Sequence, residues 1–498
     1  MNIDILEIFS LANIVFCLLG TIIGIIFGCI PGLNAAMGIV LVLPFTYGMT
    51  PVQSFAILLG IGAGGGMGGA ISACLINTPG TGAAAATLLD GYPLAQKGYA
   101  SQAISAATIG SVFGGLFSAV VLIFLAPQLA QIALEFGPAE YFAVGLLGLS
   151  IVSTLSSGTV LKGLLCALLG LMISFIGMDP ITGFMRYTFG NVNLYSGIGT
   201  GGSLLGMFAL AEVYTKLEES KKESHTQTIK LKNNKIMSIK DIKANVGNLF
   251  RSSAIGTVVG IIPATGVGVA AWMSYSVAKK RSPRGKDFGT GVYDGIIAPE
   301  AANSAVMGGA MVPLLTLGIP GDVATAVLLG ALMIHGLQPG AKLFIEHGDV
   351  VTGIYVMLIL ANIFLLLLGL FCVKYFAQVL RIPTRILLPI VMLLCMVGSF
   401  AMKNNTFEIV IALVFGAMAY IFRKVNLPMP PILLGILLVP IIESNFRRAI
   451  AVSETGLGIF VTRPICAAFL LVSLLCFFQP IIKSTIAFVK ERRQGGLK

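Results

Sequence analysis

The most constraining feature of this chain is its start, because residues 8–89 contain no Asp, Glu, Lys or Arg before Asp90. One membrane-spanning helix needs about 20 apolar residues, so this stretch has room for several crossings. The whole chain is 56% hydrophobic and 11% charged, far from the composition of soluble domains. These features predict an all-α polytopic membrane protein with about ten to twelve membrane segments.

Two apolar motifs recur in the same order in both halves of the chain. GTIIGIIFGCIPGLNAAM at Gly20–Met37 aligns without a gap with GTVVGIIPATGVGVAAWM at Gly256–Met273. NTPGTGAAAATLL at Asn77–Leu89 aligns with GIPGDVATAVLLG at Gly318–Gly330. This order predicts two homologous repeats, which by analogy with other transporters we expect to be inverted in the membrane. Both motifs contain the helix breakers Pro and Gly. Matching breaks in two halves indicate a transporter's binding site.

One polar stretch divides the chain into a first repeat at 1–215, a linker at 216–250 and a second repeat at 251–498. Lys216–Arg251 contains nine Lys/Arg and four Asp/Glu, which is typical of a cytoplasmic loop. The net charge of +11 is assigned to such loops, so no nucleic-acid partner is expected.

Basic clusters flank one uncharged segment, Ser252–Ala278, with the linker before it and Lys279–Lys286 after it. If both flanks are cytoplasmic, this segment enters and leaves on one side as a re-entrant hairpin with a buried tip at Pro263–Gly266. A kinked crossing that places Lys279–Lys286 outside is the alternative. By repetition, Thr21–Phe45 is a second hairpin with its tip at Pro31–Asn34.

The other apolar segments predict further helices. They are Ser101–Leu125, Tyr141–Ser156, Leu161–Phe175, Gly197–Val213, Val350–Phe376, Ile386–Met402, Phe407–Phe422, Pro431–Ile442 and Ile465–Ile482. Arg447, Arg448 and Arg463 leave the sidedness of the last part open.

The broken helices carry the candidate substrate site. A break exposes backbone N–H groups at the start of the next half-helix, where the dipole favours an anion. A tight capped loop is the structural alternative. The predicted substrate-binding residues are Gly32, Asn34, Asn77, Thr78, Pro79, Gly80, Thr81, Thr265, Gly266, Asn303, Pro320 and Gly321. The formal G-x-G-x-x-G at Gly60–Gly65 has no strand or acidic partner, so it indicates close helix packing and no nucleotide site.

Three acidic residues in the second apolar block, Asp294, Glu300 and Asp322, are predicted to couple a cation, because ionisable groups at membrane depth are costly and usually functional. A position at an interfacial helix end is the alternative for Asp294 and Glu300. No catalytic arrangement and no metal-ligand spacing is present, including at His335 and His347, so we expect neither an enzyme nor a metal site. The eight cysteines contain no C-x-x-C pair and indicate free thiols that pack between helices.

The two motif blocks, Ile8–Leu89 and Asp287–Ala341, contain no Lys or Arg. An anion bound there has no cationic side chain as a partner, and burying an unpaired charge is expensive. Each half-helix end supplies only about half an elementary charge. The sequence therefore predicts coupling to a co-bound cation, sodium ahead of protons, and no cofactor.

NTPG with LLDGYPLAQKG (Asn77–Gly98), and FGTGVYDGIIAPEAANSAV with LLTLGIPGD (Phe288–Asp322), resemble the large membrane subunit of the tripartite tricarboxylate transporters, the TctA family. The resemblance runs from about Gly20 to the mid-400s. It implies a multi-pass permease of the bacterial cytoplasmic (inner) membrane. Its implied partners are a small membrane subunit and an extracytoplasmic solute-binding protein, and it imports di- or tricarboxylates or related organic anions by symport.

Three positions depart from the family pattern. They are Gly64–Ala70 in place of a Tyr-rich stretch, Thr81 in place of an acidic residue, and Asn34 in place of Gly. Because these positions lie in the predicted binding turns, the substrate need not be citrate. The alternative function is a stand-alone permease or channel for another small solute.

Overall fold

The computed structural model describes residues 5–155, 160–179, 181–219, 236–263, 265–380, 382 and 384–477. Short helices and breaks separate the long helices of the first half. In chain order the elements are α1 Ile5–Ile8, α2 Leu11–Cys29, α3 Ala35–Val42, α4 Pro51–Ile76, α5 Ala84–Leu94, α6 Ala100–Ala133, α7 Pro138–Leu155, α8 Val160–Ser174, β1 Gly177–Met178, β2 Met185–Arg186, α9 Thr200–Leu204 and α10 Ala211–Glu219.

In the second half, short helices and breaks again separate the long helices. Its elements are α11 Ile239–Ala244, α12 Val246–Ile261, α13 Gly266–Arg281, α14 Tyr293–Leu317, α15 Val323–Ile334, α16 Ala341–Glu346, α17 Gly348–Phe371, α18 Val373–Val379, α19 Thr384–Lys403, α20 Phe407–Lys424, α21 Pro430–Val452, α22 Ile459–Thr462 and α23 Pro464–Phe477. The all-α prediction is confirmed apart from the two-stranded antiparallel β1–β2 hairpin, which the sequence did not indicate.

Five helical stretches of the described residues are long and apolar enough to cross a membrane, and a sixth counts if the bent pair at Gly456–Thr462 and Pro464–Phe477 forms one span. The chain is therefore a membrane protein with several apolar helices. The ten to twelve crossings remain a prediction, because many apolar segments are short or broken. The predicted helix at Ile465–Ile482 lies partly outside the described residues.

The contacts divide the chain into two compact units. Unit 1 comprises residues 1–134 and 201–420, and unit 2 comprises 135–200 and 421–498. The boundaries predicted at 215 and 250 remain predictions. The predicted linker 216–250 is helical at both ends, where α10 continues to Glu219 and α11 begins at Ile239 with Ser238 as its N-cap. Residues 220–235 lie outside the described part.

Glycines allow α2 and α4 of unit 1 to pack backbone to backbone. A Cβ at Gly20 or Gly24 would overlap the carbonyl of Ile57 or Ile61 in α4. Conversely, a Cβ at Gly64 of α4 would overlap the carbonyl of Thr21 in α2. Small residues four apart permit such close approach in membrane helices. The predicted packing role of the glycine run is confirmed.

The other long helices of unit 1 pack against this pair or against one another. Helix α14 packs against α6 and α12, whereas α17 packs against α4 and α2. The short helix α3 contacts α15, and α13 contacts α5. All eight cysteines are free thiols, and six of them are buried, as predicted.

Unit 2 is built around α21, which packs against α7 and α8. Gly170 of α8 and Gly435 of α21 meet without room for a Cβ on either residue. Aromatic rings of Phe142, Phe446 and Phe460 form a cluster with centroids 4.9–5.4 Å apart. The β1–β2 hairpin follows α8 directly.

Candidate functional site

The first half contains two helix breaks. Helix α2 ends where Ile30 turns to extended backbone (φ −83°, ψ 118°), and Pro31 and Gly32 (φ 90°) follow before α3. Pro31 supplies no N–H to continue the helix, and Gly32 adopts a positive φ without strain. Helix α4 ends at Asn77, which is left-handed (φ 55°), and α5 begins at Ala84.

The second half contains two comparable breaks. Helix α12 ends where Ile262 turns to extended backbone (φ −80°, ψ 112°), and α13 begins at Gly266 (φ 76°). Helix α14 ends at Gly318, which is left-handed (φ 73°), and α15 begins after Asp322. The helix–break–helix form predicted for Ser252–Ala278 is present, and α12 packs against α13. Its re-entrant course remains a prediction.

The backbone angles suggest a second register for the first motif pair. Ile30 and Ile262 have nearly the same angles and precede Pro31 and Pro263, whereas the gap-free alignment pairs Ile30 with Gly266, one helical turn further along. Glycines repeat every four residues in both helices, so the two registers fit almost equally. In the second pair, Asn77 and Gly318 are both left-handed. The two homologous repeats remain a prediction.

In each half, the second break packs against the last turns of the helix that leads to the first break. Gly80 donates its N–H to the Gly69 carbonyl over 3.4 Å, and a Cβ at Gly80 would overlap the Gly28 carbonyl of α2. In the second half, a Cβ at Gly321 would meet the Gly260 carbonyl of α12 and the Ala310 side chain of α14. The predicted residues Gly80 and Gly321 thus fix a close backbone contact.

The first tip is partly exposed and has charged neighbours. Asn34 is exposed and caps α3 by accepting the Met37 N–H over 2.9 Å. The Lys216 Nζ lies 2.7 Å from the position that a Cβ on Gly32 would occupy, and the Glu212 Oε1 lies 3.1 Å from it. The premise that the motif turns have no cationic neighbour is wrong here. Sequence blocks could not reveal it, because Lys216 begins the predicted linker and is far from Gly32 in the chain.

The second tip is also partly exposed. Pro263, Thr265 and Gly266 are of intermediate exposure, so the rest of the protein covers these residues only in part, and burial of the tip at membrane depth remains a prediction. The Thr265 hydroxyl donates to the carbonyls of Val259 (2.5 Å) and Ile262 (2.9 Å), which stabilises the end of α12. Such irregular backbone is tolerated at membrane depth only where it is covered or wet.

A stripe of glycines on α4 faces the predicted binding residues. The Asn303 Nδ2 donates to the Gly66 carbonyl over 3.4 Å. The Thr81 Oγ1 lies 2.7 Å from the position of a Cβ on Gly69, and the Met307 side chain lies against Gly62. Positions i, i+4 and i+7 share one helix face. We call Gly62, Gly66 and Gly69 the glycine stripe.

The glycine stripe marks an opening where α4 faces α14. From Ser54 to Leu75, only Gly62 and Gly66 are not buried, and from Asp294 to Thr316 only Ser304 and Met307 are not buried. The Ser304 Oγ is a buried atom without a hydrogen-bond partner in the described part of the chain. A buried donor without a partner is costly, so this opening has unused capacity to bind a polar ligand.

Glu300 lies one turn from Asn303 and is 0% exposed. Its Oε1 accepts the Thr87 hydroxyl of α5 over 2.5 Å, and its Oε2 accepts the Ser111 hydroxyl of α6 over 3.0 Å. The Asn303 side chain lies on the same face of α14. No ion pair of Glu300 is found within the described ranges. The interfacial alternative does not fit Glu300.

The carboxylates of the other two predicted coupling residues already have close polar partners. Asp294 lies in the first turn of α14, where it accepts the Ser282 hydroxyl (2.8 Å) and pairs with Arg284. Asp322 caps α15 by accepting the N–H (2.9 Å) and the hydroxyl (2.6 Å) of Thr325. These contacts support the interfacial alternative for Asp294 and the capping alternative for Asp322.

Sequence reasoning missed the role of Asp90, which is fully buried in α5. Its Oδ1 accepts the N–H groups of Gly289, Gly291 and Val292 over 2.9–3.0 Å, and its Oδ2 accepts the Tyr275 hydroxyl over 3.0 Å. Asp90 thus holds the turn that leads into α14. The only sequence signal was its isolated position directly after the long uncharged stretch.

Unit 2 contains an ion-pair network that was also not predicted. Asp179 contacts Arg186 (3.2 Å) and Arg447 (2.8 Å), and both arginines contact Glu443 (3.0 and 2.8 Å). The backbone N–H of Ile181 and the Arg447 guanidinium hold the pKa of Asp179 well below its usual value, against the opposing effect of burial.

A second ion pair of unit 2 joins Arg463 to Glu140 over 2.7 Å. Arg447 and Arg463 are thus partners of buried acids, which explains why their positions did not indicate a side of the membrane. Across the described residues, no group of three or more His, Cys, Asp or Glu could hold a metal ion.

Comparison with known proteins identifies relatives over nearly the whole chain. The family model described as "Tripartite tricarboxylate transporter TctA family" matches residues 14–434. An uncharacterized 52.8 kDa protein in the TAR-I ttuC' 3' region of Agrobacterium vitis is 35% identical over 473 residues, covering 95% of this chain and 94% of that protein. An uncharacterized protein in the TAR-II ttuC' 3' region of the same organism is 33% identical over 229 residues, covering 46% of this chain and 95% of that protein. No solved structure matches the chain.

Proposed function

Because the chain belongs to the tripartite tricarboxylate transporter TctA family, a family of transporters and not of enzymes, we propose that it is the permease subunit that carries a di- or tricarboxylate or a related organic anion across the membrane. Membership of this family implies a system with further subunits. The proposed partners are a small membrane subunit and an extracytoplasmic solute-binding protein. The proposed location is the bacterial cytoplasmic membrane.

The observation that best supports transport is the pair of discontinuous helices, α4/α5 and α14/α15, which both break at a left-handed residue at comparable positions. Transporters place substrates at such breaks, where half-helix ends and freed backbone groups meet the ligand. We therefore propose two related repeats, inverted in the membrane, in which Ile30 corresponds to Ile262 and Asn77 to Gly318.

The proposed substrate position is the opening between the glycine stripe and Asn303. Thr81, Asn303 and Ser304 provide neutral donors there, and glycine leaves room beside α4. The tips at Gly32, Asn34, Thr265 and Gly266, and the turns at Asn77–Thr81 and Pro320–Gly321, are proposed as the gates to this position.

Coupling to sodium or protons is proposed on electrostatic grounds. Neutral donors and helix ends do not balance a di- or tricarboxylate. The Lys216 ammonium beside Gly32 is accompanied by the Glu212 carboxylate, so this pair adds little net charge. A co-transported cation supplies the missing positive charge. Of the three predicted coupling carboxylates, Asp294 is ion-paired and Asp322 caps α15, whereas Glu300 is fully buried with hydroxyl partners from two other helices, which makes it the best candidate.

The test is uptake of labelled citrate and a panel of di- and tricarboxylates at micromolar concentration into vesicles. The vesicles contain this chain with its small membrane subunit, and sodium and proton gradients are imposed separately. We expect slow uptake until the solute-binding protein is added, and accumulation only with a cation gradient.

Two other outcomes decide against parts of this proposal. Full-rate uptake without the binding protein would favour a stand-alone permease. Failure to move any carboxylate would exclude the anion class.

A further inference from the structure

The surroundings of Glu300 define what its carboxylate can bind. Metal cations bound by oxygen take about six ligands. The Glu300 Oε1 accepts the Thr87 hydroxyl over 2.5 Å, and its Oε2 accepts the Ser111 hydroxyl over 3.0 Å. Among the described residues, no group of three or more acidic, His or Cys side chains could add further metal ligands. A proton needs only one carboxylate oxygen, so these surroundings suit a proton better than a metal ion.

Asn303 lies between this buried carboxylate and the opening. Positions 300 and 303 share one face of α14, and the Asn303 Nδ2 lies 3.4 Å from the Gly66 carbonyl. A negative charge one turn away attracts the carboxamide N–H groups, and a neutral Glu300 attracts them less. Protonation of Glu300 would therefore leave an Asn303 N–H available for a carboxylate placed beside Gly66.

We propose that Glu300 takes up the coupled proton, and that Asn303 acts as a positioning residue that transmits its protonation to the anion position at the glycine stripe. The proton comes from water on the side where the substrate enters and is released on the other side, so no bond other than O–H is made or broken. This inference rests on the proposed function and deepens it, because it selects protons over sodium as the coupling ion.

The titratable groups near Glu300 do not offer an equivalent route. Helix α4 contributes the Cys74 thiol, and α6 contributes none. Helix α5 contributes Asp90 and helix α13 contributes Tyr275, whose hydroxyl donates a hydrogen bond to Asp90. Helix α12 contributes Arg251, whose guanidinium donates to Asn248. Helix α15, which also packs against α14, has Asp322 at its start, where the carboxylate is used to cap the helix. Glu300 is therefore the carboxylate that this inference assigns to the coupled proton.

The experiment uses vesicles with the complete system and measures two activities of Glu300→Gln. One is exchange of external labelled citrate for internal unlabelled citrate, and the other is accumulation under an imposed proton gradient. A gradient of about one pH unit supports about tenfold accumulation for one coupled proton. We expect Glu300→Gln to retain exchange and to lose this accumulation. The matched control is Glu408→Gln, at another buried glutamate (4% exposed), which should keep both.

Other results overturn the inference or its premise. Proton-driven accumulation by Glu300→Gln at the wild-type level, or accumulation by the wild type under a sodium gradient alone, would overturn proton coupling at Glu300. Absence of exchange by the wild type for the whole carboxylate panel would instead overturn the proposed function.

If Glu300→Gln does not exchange citrate, a second pair of variants tests the inference. Ser111→Ala removes a donor to the carboxylate, whereas Ser118→Ala removes a buried hydroxyl of the same helix that donates to the Gly115 carbonyl. We expect Ser111→Ala alone to move the pH of half-maximal accumulation upward, because the ionised form loses a hydrogen bond. An unchanged pH profile for Ser111→Ala would overturn the inference.

Discussion

Two buried glutamates, one in each unit, have opposite surroundings. Glu300 of unit 1 is 0% exposed, and its hydrogen-bond partners in the described residues are the hydroxyls of Thr87 and Ser111. Glu140 of unit 2 is 1% exposed and is paired with the Arg463 guanidinium at 2.7 Å. Glu140 thus has a cation as its partner, whereas Glu300 has none among the described residues.

This difference separates ion-paired acids from one that lacks a cationic partner. Unit 2 pairs its buried acids with arginines, as Asp179 does with Arg447 and Arg186. Unit 1 also uses a buried acid to hold its fold, since Asp90 holds the turn before α14. Near the opening, however, Glu300 is buried without an ion pair in the described residues. Buried ionisable groups of that kind in membrane proteins are usually part of ion pathways.

The largest expected effect on stability comes from removing the cationic partner of Glu140, so that Glu140, like Glu300, has no ion pair. Arg463→Ala leaves the buried Glu140 carboxylate with the Gly137 N–H at 2.8 Å and without its cation. We expect a loss of about 1–3 kcal/mol in the free energy of unfolding, below the usual cost of breaking a buried pair because Arg463 is 42% exposed. The measurement is thermal unfolding in detergent, read by reaction of a dye with Cys466, which is buried in unit 2.

The converse change in unit 1 is the control for this comparison. Glu300→Gln keeps an acceptor for the Thr87 hydroxyl, so its stability should change by less than about 1 kcal/mol. Arg463→Lys should restore part of the loss. If Glu300→Gln destabilises the protein as much as Arg463→Ala, the distinction between the two acids is contradicted.

A smaller effect is expected from pH at Asp179. Its pKa is lowered in the folded state, so its contribution to stability is present above its unfolded value of about 3.9 and is lost as the pH falls below it. The difference in unfolding temperature between wild type and Asp179→Asn should be constant from about pH 8 to pH 5 and shrink below about pH 4. Asp287→Asn, at an exposed aspartate, is the control. A difference that already shrinks between pH 8 and pH 6 would contradict the account.

Local signals in the sequence predicted most of the helices and the positions of their breaks. Pro and Gly at Ile30–Gly32 and at Gly318–Gly321 mark the breaks because they limit the backbone directly. The same local reasoning does not fix the register of the first motif, since glycines spaced by four fit two alignments one turn apart. The similar backbone angles of Ile30 and Ile262 favour one of them.

Contacts between distant residues could not be predicted from one sequence. Asp179 and Arg447 are 268 residues apart, and Thr87 and Glu300 are 213 apart. Their pairing depends on how helices pack, and no local pattern encodes it. For the same reason the sequence proposed Asp294, Glu300 and Asp322 as equals, whereas only the contacts distinguish the ion-paired and capping residues from Glu300.

The central claim is that an anion binds beside Asn303 at the glycine stripe, and Asn303→Asp tests it most directly. This nearly isosteric change places a negative charge at that position, and like charges in a site cost several kcal/mol. The matched control is Asn248→Asp, where the new carboxylate would face the Arg251 guanidinium that now donates to Asn248. The measurement is citrate exchange by the complete system in vesicles. We predict a loss of roughly tenfold or more for Asn303→Asp and a change within about twofold for Asn248→Asp. Wild-type exchange by a folded Asn303→Asp variant would contradict the claim.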